Sequence, residues 1–251
     1  MTTPEHILLL AGTQEARQLA GRIAAEFPQL RLTASFAGAV RDLPDLGVPT
    51  RVGGFGGVDG LVRFLRSESI NLIIDATHPF AAQMSRNAAL AAETLSIPVI
   101  RLERPAWQAG PRDLWQSVAS MNEAANALAP GARAFLAIGR KEIQAFTKRS
   151  DIYGLARMIE PPSPPLPASW DLILTRPPHS ADEEAELFRA RHITHVVTKN
   201  SGGERSYAKI EAARHLQLPV IMIERPKLPE VNSVPAIMEL LDKTREFLPL
   251  S

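Results

Sequence analysis

ILLLAGTQEA (7–16) is the stretch on which the reading of the chain turns. An apolar run, predicted as a strand over His6–Ala11, is broken by Gly12-Thr13. A helix follows from about Glu15 to Glu26, with Ala16, Leu19, Ala20 and Ile23 on one stripe. Strand, tight turn and amphipathic helix in that order make one unit of a parallel sheet. Working outward, the same alternation runs to the C-terminus, which predicts an α/β fold. In the first half, strands are predicted at Arg31–Ser35, Thr50–Val52, Asn71–Asp75 and Pro98–Leu102. Helices are predicted around Leu61–Leu65 and over Ala81–Leu95.

The segment Arg104–Met121 has weak periodicity and contains Pro105, Gly110 and Pro111, so it reads as a crossing segment. Beyond it the predicted elements are a helix near Asn122–Leu128, a strand at Ala134–Ile138, and a helix opened by Gly139-Arg140-Lys141-Glu142. Strands at Ile152–Met158, Asp171–Thr175, Thr194–Thr198 and Pro219–Glu224 follow, with helices over Ala181–Arg191 and Glu204–His215 between the later ones. PPSPPLP (161–167) is a stiff connector, and a closing helix spans about Val234–Phe247.

The two series align. ILLLAGTQEA (7–16) matches AFLAIGRKEI (134–143), INLIIDATHPFA (70–81) matches ITHVVTKNSGGE (193–204), and SIPVIRLERP (96–105) matches QLPVIMIERP (217–226). Three matches in one order point to duplication. The expectation is two similar Rossmann-like parallel-sheet domains, 1–105 and 106–251, flanking a central cleft that holds the active site.

Composition narrows the function classes. With 251 residues, 45% hydrophobic and 22% charged, the chain is ordinary globular material. It has no cysteine, which excludes disulfides, thiolate metal sites and a cysteine nucleophile. A formal net charge of +1 does not indicate nucleic acid as a partner. The N-terminal apolar run is too short for a signal-peptide core and no stretch is long enough to span a membrane, so a cytoplasmic location is expected. The six histidines have no zinc-ligand spacing, and no metal site is predicted. Neither a GxSxG elbow nor a GxxxxGK[ST] loop is present.

In open parallel sheets ligands bind beyond the carboxyl ends of the strands, where strand order reverses. Gly12, Thr13, Gln14 and Glu15 stand at the first such turn, either a backbone cradle for a phosphate or a plain helix start capped by Thr13. Strand two ends in Ser35, not in the acidic residue that binds a ribose diol. Ser35 and Arg41 could meet a 2′-phosphate, which favours NADPH; the alternative for Arg41 is a solvated surface charge. Thr77 and His78 follow the Asp75 strand. His78 is a candidate donor of a hydrogen bond or a proton, or else structural, and Asp75 is a cap or the orienter of His78. Thr198-Lys199-Asn200-Ser201-Gly202-Gly203 offers a cation beside consecutive N–H donors, an anion nest or a surface lysine loop. Arg140 and Lys141, with Arg104, Arg205 and Arg225, would line the cleft with positive charge suited to a polycarboxylate.

Taken together, ILLLAGTQEAR (7–17), DATHPFA (75–81), RLERP (101–105), IGRKE (138–142) and VTKNSGG (197–203) resemble the precorrin-6A reductase family of the cobalamin pathway, in the family's order over nearly the whole chain. The resemblance implies NADPH-dependent reduction of one double bond of a tetrapyrrole polycarboxylate, precorrin-6A, to precorrin-6B. It places NADPH on the N-terminal half, with Gly12–Glu15 by the pyrophosphate or nicotinamide, Ser35 by the adenosine end, and Thr77 and His78 flanking the nicotinamide. Arg104, Arg140, Lys199, Ser201 and Gly202 would anchor substrate carboxylates, and neighbouring cobalamin-pathway enzymes would be partners. The alternatives are a cobalt-precorrin-6A reductase, a non-catalytic binding protein for an anionic ligand, and a methyltransferase, against which Ser35 counts.

Overall fold

The computed structural model describes residues 5–36, 46–178 and 180–248. Helices and strands alternate as the apolar runs require. The first series is β1 (His6–Ala11), α1 (Gln14–Glu26), β2 (Arg31–Phe36), β3 (Thr50–Val52), α2 (Gly57–Ser67), β4 (Leu72–Asp75), α3 (Ala82–Leu95) and β5 (Val99–Leu102). The second is β6 (Trp115–Val118), α4 (Met121–Ala127), β7 (Arg133–Ala137), α5 (Gln144–Thr147), β8 (Tyr153–Met158), β9 (Asp171–Leu174), α6 (Ala181–Ala190), β10 (His195–Lys199), a 3-10 turn (Glu204–Ser206), α7 (Ala208–His215) and β11 (Val220–Ile223). β12 (Asn232–Val234) and α8 (Ile237–Phe247) close the chain.

These strands form two six-stranded sheets, in the orders β3-β2-β1-β4-β5-β12 and β9-β8-β7-β10-β11-β6. Every pairing is parallel. Both have the doubly wound order of a Rossmann fold, with strand order reversing between β1 and β4 in one sheet and between β7 and β10 in the other. The duplication read from sequence is therefore present position by position: β1 and β7, β4 and β10, β5 and β11 hold equivalent places.

Why β1 is apolar from Ile7 onward is visible in its two faces. Ile7, Leu9 and Ala11 pack with Leu19 and Ile23 of α1 and Leu240 and Leu241 of α8. Leu8 and Leu10 pack on the other side with Leu61 and Leu65 of α2 and Ala88 and Ala91 of α3. A strand covered by helices on both faces has no solvent side, so it does not alternate.

The domain division expected at 105/106 needs correcting. One compact unit comprises Met1–Arg104 with Pro226–Ser251, the other Pro105–Arg225. β12 hydrogen-bonds along β5, with Asn232 opposite Ile100 and Val234 opposite Leu102, and α8 buries Leu240 and Leu241 in the first core. The crossing segment holds a strand of its own, β6, on β11. Its residues Gln116 and Ser117 are exposed, so no apolar run announced it. Thus β6–α4 follows the first series in sequence but closes the second sheet, while β12–α8 follows the second and closes the first. Among the described residues, no helix is long and apolar enough to cross a membrane.

Candidate active site

In the first unit the turns after β1 and β4 meet. Thr13 caps α1, its hydroxyl accepting from the Ala16 N–H at 3.1 Å and donating to the Ala76 carbonyl at 3.1 Å, so one side chain ties both strand ends. Gly12 lies between them. A Cβ there would stand 3.6 Å from the His78 nitrogen and 3.8 Å from the Thr77 Cα, filling the gap over the turn. Behind it runs a 13-residue helix whose N-terminal dipole end favours an anion.

Asp75 is buried. Its Oδ1 accepts from the Thr77 hydroxyl at 2.7 Å and the Thr77 N–H at 3.2 Å, and its Oδ2 from Arg101 Nε at 3.3 Å. Arg101 also donates to the Pro229 carbonyl at 3.0 Å. Asp75 therefore orients Thr77. The ring of His78 is set by the Phe80 N–H, which donates to Nδ1 at 3.2 Å; with Nδ1 accepting, Nε2 carries the ring proton. Thr77, His78, Ser85 and Arg101 line one small cavity at this sheet edge.

Two further residues singled out in the sequence meet each other. Arg104 Nη1 donates to both carboxylate oxygens of Glu15 at 2.7 Å. Ser35 is buried at the end of β2 and accepts from Arg51 at 3.0 Å. Arg41 lies outside the described residues.

The equivalent turn in the second unit is built differently. The helix expected to open at Gly139 is delayed: α5 covers only Gln144–Thr147. Lys199 Nζ donates to Glu142 at 2.8 Å and Arg140 to Glu160 at 2.6 Å. The cations at 104, 140 and 199, expected to line a positive surface, are thus each neutralised by a carboxylate. The loop after β10 is held by Asn200, whose side chain accepts from the Trp107 N–H at 2.8 Å and donates to the Trp107 carbonyl at 3.2 Å. Ser201 is buried, its hydroxyl 3.5 Å from that of Ser206. Gly202 has φ +61°, and a Cβ there would come within 2.2 Å of the Pro105 carbonyl oxygen, so backbone approach demands this glycine.

Sequence reasoning missed Arg51, Arg101, Asn200 and Lys209. Asn200 lay inside a quoted motif, and Arg51 stands two residues before Gly53-Gly54, a usable signal. Lys209 sits in an alanine-rich helix without any signal. It is buried with its ammonium 4.9 Å from the Trp107 ring centroid, and burial pushes its pKa down to about 7 against the opposing charge of Glu184.

Two doubly wound parallel sheets with polar turns at their switch points define a protein of the Rossmann-like α/β class. Residues 6–242 match the family model described as Precorrin-6x reductase CbiJ/CobK, and the chain belongs to that family. It is 46% identical over 225 residues to a precorrin-6A reductase of Rhodococcus erythropolis, covering 89% of this chain and 90% of that one. The solved structure titled CobK precorrin-6A reductase superposes with a TM-score of 0.90 at 38% identity and 97% coverage of both chains. A cobalt-precorrin-6A reductase of Priestia megaterium is 34% identical, covering 88% of this chain and 91% of that one. The family's chemistry is a reduction, which implies a nicotinamide cofactor.

Proposed function

We propose that this chain reduces one carbon–carbon double bond of the precorrin-6A macrocycle to give precorrin-6B, with NADPH as reductant. The observation that carries the cofactor's placement is the asymmetry between the two switch-point turns: only the first unit backs its turn with a long helix. Gly12, Thr13, Gln14 and Glu15 would hold the pyrophosphate or nicotinamide, Thr77 and His78 would flank the nicotinamide, and Ser35 and Arg41 would take the adenosine end. The bare turn at Gly12 and a serine where a ribose-binding acid would stand both fit a phosphorylated dinucleotide.

Bound there, NADPH would supply hydride to one carbon of the double bond. The chain's own contribution is to position the reactants, since a near-attack geometry alone lowers a barrier substantially, and to bring a proton to the neighbouring carbon. His78 is the proposed donor. Arg104, Arg140, Lys199, Ser201 and Gly202 would receive the substrate's carboxylates. For the three cations this means exchanging Glu15, Glu160 and Glu142 for the ligand, an exchange between like charges that costs little electrostatically and confers geometric selection. The higher identity to the precorrin-6A reductase than to the cobalt-precorrin-6A reductase supports the metal-free ring over the cobalt one. We place the reaction in the cytoplasm and expect neighbouring enzymes of the pathway to hand substrate on.

The test is turnover of metal-free and cobalt-containing precorrin-6A, followed by loss of NADPH absorbance and product mass. Metal-free turnover with a two-hydrogen mass gain is expected. Ligand capture without NADPH oxidation would assign the chain to binding alone.

A further inference from the structure

We propose that Arg51 selects the phosphorylated cofactor over its unphosphorylated counterpart by engaging the phosphate on the adenosine ribose. The inference rests on the cofactor reading of the first unit given above. In a doubly wound sheet the end of the second strand faces the adenosine ribose, and an acid there accepts from the ribose diol and repels a phosphate. Here that strand end carries Ser35, and the residue directly opposite it on β3 is Arg51.

The guanidinium is held in place by neutral groups. Nη1 donates to the Ser35 hydroxyl at 3.0 Å and the Gly53 carbonyl at 2.9 Å, and Nη2 donates to the Gly54 carbonyl at 3.2 Å. Its carbon stands 3.8 Å from the Phe55 ring centroid and 5.2 Å from that of Phe64. Unlike Arg104, Arg140 and Lys199, it has no carboxylate partner among the described residues. Partial burial without a counter-charge lowers its pKa from the ordinary arginine value, yet arginine stays charged. A fixed, partly desolvated cation with only dipoles around it gains more from an incoming dianion than a pre-paired cation does. Ser35, as acceptor from Nη1, keeps its hydroxyl proton to donate to the same phosphate. The adjoining loop leaves room: a Cβ built on Gly53, Gly54, Gly56 or Gly57 meets nothing within 4 Å.

The test is fluorescence titration of the full-length chain with NADPH and with NADH, for the wild type, Arg51→Gln and Ser35→Asp. The wild type should bind NADPH more tightly. Arg51→Gln should weaken NADPH binding on the order of 10–100-fold, as loss of a charge-assisted contact does, and leave NADH binding unchanged. Unchanged NADH binding also shows that the glycine loop has kept its fold. Ser35→Asp should shift preference toward NADH independently, by repelling the phosphate and neutralising Arg51. If the wild type binds neither nucleotide, the cofactor reading fails and takes this proposal with it. If the wild type prefers NADPH and Arg51→Gln retains that preference, only the assignment of Arg51 is overturned.

Discussion

At the scale of single residues, the backbone amide of Phe80 constrains the chemistry of His78. With Nδ1 accepting from Phe80 N–H, the neutral ring can donate a hydrogen bond from Nε2. To deliver a proton it must first be protonated at both nitrogens, breaking that bond. Glutamine mimics the first role and cannot perform the second. On the proposed proton-delivering role, His78→Ala and His78→Gln should both lower kcat by about 10²–10⁴-fold; near-normal kcat for His78→Gln would restrict the ring to hydrogen bonding. Lys209 makes a different residue-scale prediction. Its ammonium donates to the Ser206 carbonyl and faces Trp107, Glu184 and the Glu184-paired Arg157. Folding lowers its pKa from 10.5 to about 7. Between those values the unfolded chain binds more protons than the folded one, so stability rises as pH climbs through that window, by at most about 1.4 kcal/mol per pH unit. Urea midpoints between pH 7 and 9.5 should show this rise in the wild type and a smaller one in Lys209→Met. Equal slopes would show that the amine does not titrate there.

At the scale of elements, equivalent turns have diverged because the helices behind them have. α1 is amphipathic and long enough to be legible in sequence, and its capping threonine was readable as such. α5 has a similar start in sequence but ends after one turn, where Lys148-Arg149-Ser150-Asp151 continues no apolar stripe. The loop after β10 was legible as polar and permissive, whereas its attachment to Trp107 through Asn200 was not, since the partners are 93 residues apart. Gly202 carries an element-scale prediction. Alanine there would collide with the Pro105 carbonyl and adopt positive φ, so Gly202→Ala should destabilise by about 1–3 kcal/mol. It should also raise KM for the tetrapyrrole more than the Kd for NADPH, since the cofactor is proposed to bind the other unit. Equal losses for both ligands would contradict that division of labour.

At the scale of the whole molecule, the first unit depends on the chain's last elements. Leu240 and Leu241 are fully buried against β1 and α1, so Leu240→Ala should cost about 2–5 kcal/mol. The loss should appear by hydrogen exchange in β1 and β4, at the opposite end of the sequence. Loss of protection confined to β10 and β11 would refute the assignment of α8 to the first unit. The sequence by itself determined the α/β class, the duplication, the family and the turns that carry polar chemistry. These are local properties: apolar runs, helical stripes and motifs are written in consecutive residues, and they bias the chain before any long-range contact forms. Tertiary structure alone decided which sheet each closing strand joins, which carboxylate neutralises each cation, and that Arg51 stands opposite Ser35. Strands as short as β6 and β12 carry too little side-chain information to name their neighbour, and ion pairs join residues tens of positions apart. The choice among such partners is settled only when both cores are packed.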